Sequence, residues 1–293
     1  MAKDLIIGAF SKFDFEVLKP WIFSIKETGF SGDIVLIAIE PNEMTVNQIE
    51  QVGVKVVTAT NPGNMMIHML RFLHIYNYLK HNKDYRYVIT TDVRDVIFQK
   101  NPIDELQKIL GSRSKAIVAQ SESIKIKDER WNRENIIENF GKYFYDDVKD
   151  SDVYNVGILA GTADYIKDLC FALFQMSQNR PDWVADQAAY NMLLNYKPWD
   201  EVAVKLPIHD AWAINAHVTN KPDQMDEFGP YLLDKRPYME DGLVKTAEGK
   251  VFTIVHQYDR VPEWMEFLMQ KFQLSFTKDT NFGTAPKYFS YKS

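Results

Sequence analysis

Tyr87-Val-Ile-Thr-Thr-Asp-Val-Arg-Asp-Val-Ile-Phe-Gln99 is the stretch on which the reading of the fold turns. Tyr87 to Thr91 are all good strand formers and read as a buried strand. The strand ends on Asp92 and Asp95, and a second apolar run, Val96-Ile97-Phe98, follows at once. Acidic groups between two apolar runs belong at the lip of a core. In an open α/β sheet that lip, at the carboxyl ends of the strands, is where ligands bind. Two hard oxygen donors there suit Mg²⁺ or Mn²⁺, and the metal in turn suits a diphosphate. The alternative is a strand-end Asp capping a turn, with Asp95 paired to Arg94 or a nearby Lys. The metal reading requires a turn after Asp92, because a straight strand would spread the carboxylates over roughly 10 Å and aim them at opposite faces.

Upstream, Leu5 to Phe10 reads as a first buried strand ending in a small-residue turn. Phe13 to Thr28 has helical spacing, with Phe15, Leu18, Ile22 and Ile25 on one face. Pro20 inside it predicts a kink or a late start, and Gly29 a stop. Asp33 to Ile39 is a second strand, Met44 to Val52 a short helix ended by Gly53, and Val54 to Val57 a third strand. Met65 to Leu79 is helical and carries Arg71 and His74. This β-α-β-α-β-α-β order, with near-continuous apolar strands, predicts an α/β, Rossmann-like fold: a mostly parallel sheet with helices on both faces.

Downstream, Pro102 to Leu110 is a short helix and Ala116 to Ala119 a fifth strand. Residues 121–152 are highly charged without a clean period and read as a long excursion holding one helix, Asn132 to Phe140. Such excursions are often functional loops. Tyr154 to Ala160 is strand-like, Ala163 to Ser177 and Asp186 to Tyr196 are helices, and 198–250 is irregular and proline-punctuated. Val251 to Val255 is a last clear strand ending in His256, residues 262–274 look helical, and the tail after Asp279 reads as poorly packed. The second half lacks another alternating βα series, so residues 1–293 read as one domain.

A length of 293 residues is enough for one large α/β domain. The formal net charge of −6 argues against a general nucleic-acid binder. The single cysteine, Cys170, excludes an internal disulfide framework and reads as a small buried hydrophobe. The amino-terminal apolar run is too short for a signal peptide, and no stretch reaches the roughly 18 apolar residues of a membrane span. The expectation is a cytoplasmic chain, or a soluble portion of something larger.

Four further features bear on chemistry. His256, in Val255-His-Gln-Tyr-Asp-Arg260, is either a satisfied structural histidine or a neutral imidazole completing a carboxylate–carboxylate–imidazole metal site. Asp259 and Arg260 can pair with each other. In Tyr154-Asn-Val-Gly-Ile-Leu-Ala-Gly161, Gly157 and Gly161 allow close backbone approach beside the Asn155 amide, or simply mark tight packing. Asp186 opens a helix as an N-cap candidate, which would leave Gln187 pointing outward from the first turn to meet a ligand. Arg71 is a phosphate clamp or a snorkelling side chain.

In their order, Arg71, Thr91-Asp-Val-Arg-Asp95, Asn155-Val-Gly157, Asp186-Gln187 and Val255-His256 resemble a glycosyltransferase of the GT-A fold. The likeness is to the glycogenin-like and bacterial lipopolysaccharide galactosyltransferase-like group and its small viral and bacterial relatives, over about residues 4 to 260. The resemblance implies a nucleoside-diphosphate sugar donor, UDP-linked by preference, and Mn²⁺ or Mg²⁺. It assigns Asp92, Asp95 and His256 to metal and diphosphate, Ala9, Phe10 and Ser11 to the nucleoside, and Arg71 to the donor. Asn155, Gly157, Asp186 and Gln187 then surround the donor sugar and reaction centre. The sequence departs from the group in having Asp-x-x-Asp rather than Asp-x-Asp, and Ala188 where relatives often have another acid.

The chemistry so implied is metal-dependent transfer of a hexosyl or deoxyhexosyl group to a glycan or glycoconjugate hydroxyl. The likeness favours retention of configuration, with Gln187 steadying the sugar. Inversion would require a carboxylate base, Asp186 or an acid from the 121–152 excursion. Trp131, Tyr143, Tyr145, Trp199 and Trp212 supply flat faces for an acceptor sugar, or pack the core. Two other readings stand beside this one: a sugar-nucleotide nucleotidyltransferase, for which Gly8-Ala-Phe-Ser-Lys12 is poor in glycine, and a non-catalytic nucleotide-sugar or glycan binder on the same scaffold.

Overall fold

The apolar runs of the first ninety residues become β1 (Lys3–Ser11), β2 (Asp33–Ile39), β3 (Lys55–Ala59) and β4 (Tyr85–Thr91), paired in parallel in the order β3-β2-β1-β4. The structure is a computed structural model that describes residues 3–63, 65–111, 116–180 and 184–275; the tail after Asp279 lies outside them. The crossovers are α1 (Phe15–Glu27), α2 (Glu43–Gln51) and α3 (Ile67–His81). Alternate residues of β1 serve opposite layers. Ile6 and Phe10 pack with Leu18, Trp21 and Ile22 of α1, whereas Leu5 and Ile7 pack with Leu70, Ile75 and Leu79 of α3. Burial on both faces is why these strands read as continuous apolar runs rather than alternating ones. Helix α1 begins ahead of Pro20 and runs through it, so the expected late start does not occur.

Beyond β4 the chain adds β5 (Val96–Phe98), α4 (Pro102–Leu110) and β6 (Ile117–Lys125). Then come α5 (Arg130–Phe140), α6 (Lys142–Val148), β7 (Asp152–Tyr154), β8 (Ile158–Thr162), α7 (Ala163–Ser177) and α8 (Asp186–Asn195). The strand sense changes here. β8 lies antiparallel to β4 and to β6, while β6 pairs β7 antiparallel and β9 (Ala203–Leu206) in parallel. The central sheet is therefore mixed, with mostly parallel pairings. Helices α1, α2 and α4 cover one face and α3, α7 and α8 the other, with Cys170 of α7 buried in the second layer.

The excursion expected at 121–152 is instead ordered secondary structure: β6 continues to Lys125, and α5 and α6 follow. The far half of β6 is polar, yet Gln120, Ser121, Glu122 and Ser123 are all buried. Their polarity is satisfied by partners remote in sequence, so it does not signal solvent.

The irregular region supplies β10 (Ala213–Asn215), a hairpin of β11 (Tyr238–Glu240) and β12 (Leu243–Lys245), and then β13 (Ile254–His256). A separate three-stranded sheet has the order β10-β13-β5. It packs over Phe252, Trp264 and Leu268, the last two from the helix Pro262–Lys271. Because β5 follows β4 directly, the two sheets meet at the Asp92–Asp95 turn. No helix among the described residues is long and apolar enough to cross a membrane.

Candidate metal centre

The turn that the two carboxylates need is present, and Val93 secures it. Val93 is buried, and its Cγ1 occupies the place that a Cβ on Gly8 would fill. With Val93 anchored in the core, Asp92 and Asp95 can return to the same side. Backbone bonds hold both ends: Asp92 N–H donates to Gly157 O at 2.8 Å, and Gln257 N–H donates to Asp95 O at 2.7 Å. The Tyr258 hydroxyl donates to Arg94 O at 3.0 Å.

His256 reaches this turn through the small sheet. It stands opposite Val96, the residue after Asp95, in the antiparallel β13–β5 pairing. Its Nε2 lies 3.4 Å from Asp92 Oδ2 and 3.6 Å from Asp95 Oδ1. One ligand atom from each of Asp92, Asp95 and His256 lies within 4.8 Å of the others. The Asp95 and His256 side chains are nearly closed off, at 7% and 3% exposure, whereas Asp92 is 32% exposed and forms the open side.

The donor set fits a cation. Asn215 Oδ1 lies 2.8 Å from His256 Nδ1, and a carbonyl oxygen only accepts, so Nδ1 carries a proton. In the neutral ring the Nε2 lone pair then faces two carboxylates, an arrangement that a cation relieves. Burial pushes the His256 pKa down, against the pull of Asp95 and Glu122, which favours that neutral ring. Burial alone would raise Asp95, but His256, Arg94 and Arg260 outweigh it and lower its pKa to about 2. Asp95 divides its oxygens: Oδ2 takes Arg94 at 3.1 Å, while Oδ1 faces His256. Pairing with Arg94 and membership of the cluster are thus compatible. Asp259 and Arg260 pair as expected, at 2.7 Å.

Gly157 forms the wall of this centre. A Cβ there would strike His256 Cε1 and come within 2.8 Å of Asn155 Oδ1 and 2.9 Å of Asp92 Oδ2. The segment 155–157 is a turn between β7 and β8, not the middle of one strand.

Arg71 is buried rather than snorkelling, and its guanidinium bridges Asp92 and Asp186, with Asp186 Oδ2 at 3.1 Å. Asp186 is not the N-cap of α8. Ala185 occupies that place, and Asp186 is the buried counter-ion of Arg71 while also accepting the Gln187 N–H. Gln187 does not point outward. Its Nε2 donates to Glu122 Oε1 at 3.2 Å and Asn132 Oδ1 at 3.0 Å, and its Oε1 accepts from Val156 N at 3.4 Å. Asn155 joins the same group, donating to Glu122 Oε1 at 2.6 Å.

Other expected site residues lie at the same edge or away from it. Gly8 is in register with Thr91, so Ala9, Phe10 and Ser11 extend along the carboxyl end of β1 beside the turn. The Phe10 side chain is enclosed in the core, leaving half-buried Ala9 and Ser11. Trp212 is a core residue and offers no face to an acceptor; Tyr143 is 81% exposed, and Trp131, Tyr145 and Trp199 are half-buried.

Glu122, Asn215 and His68 were not singled out from sequence. Burial, reinforced by Glu129, raises the Glu122 pKa to about 7. His68, one turn before Arg71, is pushed down by burial against the pull of Asp186. The one available signal for Glu122 was an acid three residues after the apolar run Ala116 to Ala119. No protein-family model matches this chain, and no curated protein matches it.

Proposed function

We propose that this chain is a glycosyltransferase that takes a nucleoside-diphosphate sugar, UDP-linked by preference, and passes the sugar to a glycan or other hydroxyl acceptor. One observation carries the reading: Asp92, Asp95 and His256 converge on one point at the carboxyl edge of parallel strands, with the buried Arg71 cation beside them. The order of motifs resembling the GT-A group supports it from the sequence side. Asp92, Asp95 and His256 would hold Mn²⁺ or Mg²⁺, which when bound neutralises charge on a departing diphosphate.

The chain's own residues have definable tasks. Arg71, fixed between two carboxylates, presents a positive charge that needs no reorganisation during reaction. Asp92 lies on the open side, so a ligand approaches from there. Asn155 and Gln187 are already committed to Glu122 and set the shape of the wall facing the sugar. Retention follows the resemblance. An inverting reaction would instead require a carboxylate base.

Thermal melting with UDP-, GDP- and dTDP-linked sugars and the free diphosphates, each with and without Mn²⁺, tests this reading. Stabilisation by one nucleoside diphosphate only when Mn²⁺ is present is the expected result. A chain indifferent to every nucleotide is not this enzyme. Metal-dependent binding without turnover of any bound donor identifies a non-catalytic binder.

A further inference from the structure

Between the candidate centre and the core runs a relay of hydrogen bonds that begins on Glu122. Its Oε1 accepts from Asn155 Nδ2 at 2.6 Å and from Gln187 Nε2 at 3.2 Å. Asn155 Oδ1 accepts the Gly157 N–H at 2.7 Å, and Gln187 Oε1 accepts the Val156 N–H at 3.4 Å. Gly157 O then accepts the Asp92 N–H at 2.8 Å. The polarity of the chain is forced. A backbone N–H can only donate, so each amide must turn its oxygen to the 155–157 turn and its NH₂ to Glu122. Glu122, Asn155 and Gln187 are all buried, so a broken link leaves a polar group without water to replace it.

The turn governed by this relay matters for geometry. Gly157 packs against both Asp92 and His256 closely enough to exclude even a methyl group. A small rotation of the turn would therefore move Asp92 relative to His256. Glu122 does not belong to the Asp92–Asp95–His256 ligand group.

We propose that Glu122 is a positioning residue for the metal centre: by accepting from Asn155 and Gln187 it fixes the 155–157 turn, and through Gly157 it sets the spacing of Asp92 and His256. This rests on the metal reading above. The role needs an acceptor oxygen and no negative charge. The Glu122 pKa of about 7 agrees with that, since the protonated carboxyl keeps Oε1 as an acceptor.

The test is Mn²⁺ binding by the full chain, with Mn²⁺ alone as the probe, followed by electron paramagnetic resonance of the free ion. Outer-shell partners typically contribute about 10–100-fold in metal affinity. Glu122→Ala should weaken Mn²⁺ binding by about 10-fold or more, and Glu122→Gln, which keeps the acceptor oxygen, should stay within about threefold of the parent. Asn155→Ala breaks the relay at its next link and should match Glu122→Ala; it carries the test if Glu122→Ala does not fold. Parent-like Mn²⁺ affinity in folded Glu122→Ala, or in Asn155→Ala, overturns the proposal. Equal losses in Glu122→Gln and Glu122→Ala also overturn it, because charge rather than acceptor geometry would then be operating. A parent chain that takes up no Mn²⁺ removes the metal reading itself, and this role with it.

Discussion

His256 and Asn215 face each other across paired strands, with Nδ1 and Oδ1 2.8 Å apart and both residues buried. The contact determines which imidazole nitrogen is left for the carboxylates. Replacing Asn215 with Leu removes the acceptor that keeps the proton on Nδ1, freeing the ring to place its proton on Nε2 instead. Mn²⁺ affinity should fall by about 10-fold or more, measured by calorimetric titration, while the fold remains intact by circular dichroism. Unchanged affinity would mean that the tautomer is held by something else.

Gly157→Ala should be disproportionately harmful for a one-carbon change. The added Cβ meets His256 and Asp92 together, so the two ligands must part or the turn must move. Overpacking of this kind costs about 1–3 kcal/mol. Urea denaturation should register that loss, and Mn²⁺ binding should be weakened in the folded fraction.

Arg71 and Asp186 form a buried pair in which each covers the other's charge, at 3.1 Å. Arg71→Met leaves Asp186 and part of Asp92 uncompensated and should destabilise the chain by about 3–5 kcal/mol. Combining it with Asp186→Asn should recover a measurable part of the loss. A double-mutant cycle by chemical denaturation gives the coupling; additivity of the two changes would show that the pair is not energetically linked.

The pH dependence of stability should carry a signature of Glu122. Its folded pKa is raised from the model-peptide value of 4.5 to about 7, so the folded state binds more protons across that window. The corresponding contribution is full below about pH 4.5 and is lost as pH rises through about 7. Half-buried His217, lowered to about 4, acts in the opposite sense, and so does Asp95, lowered to about 2, at more acid pH. The difference between parent and Glu122→Gln isolates the glutamate. Urea midpoints from pH 5 to 8 should show the parent losing stability relative to the variant as pH rises, by a few kcal/mol at most. Parallel profiles would place the Glu122 pKa near its ordinary value.

Much of the scaffold is legible locally. Asp33 to Ile39, Pro102 to Leu110 and Ala163 to Ser177 form the elements expected at those boundaries, because strong apolar runs or one-sided helical stripes with end signals leave little choice. The candidate centre was also visible in outline, since Asp92, Asp95 and His256 each end or follow a strand-forming run.

Three things depended on the tertiary structure. The antiparallel placement of β8 between β4 and β6 follows from pairing between segments with similar local patterns in either direction. The inward commitment of Gln187 and Glu122 was hidden because polar residues read as solvent-facing unless their partners are known, and these partners are 65 positions apart. The change of Asp186 from helix cap to counter-ion needed Arg71, 115 positions away.

By itself, then, the sequence determined the strand and helix inventory through β4 and that Asp92 and His256 sit at strand ends, because those depend on apolar period and chain stiffness over a few residues. The tertiary structure alone decided how the Asp92–Asp95 turn closes over Val93, which nitrogen His256 presents, and how Glu122 ties the 155–157 turn to Asp92. Each depends on a hydrogen bond or a steric contact between distant segments, and such contacts exist only once those segments have been brought together.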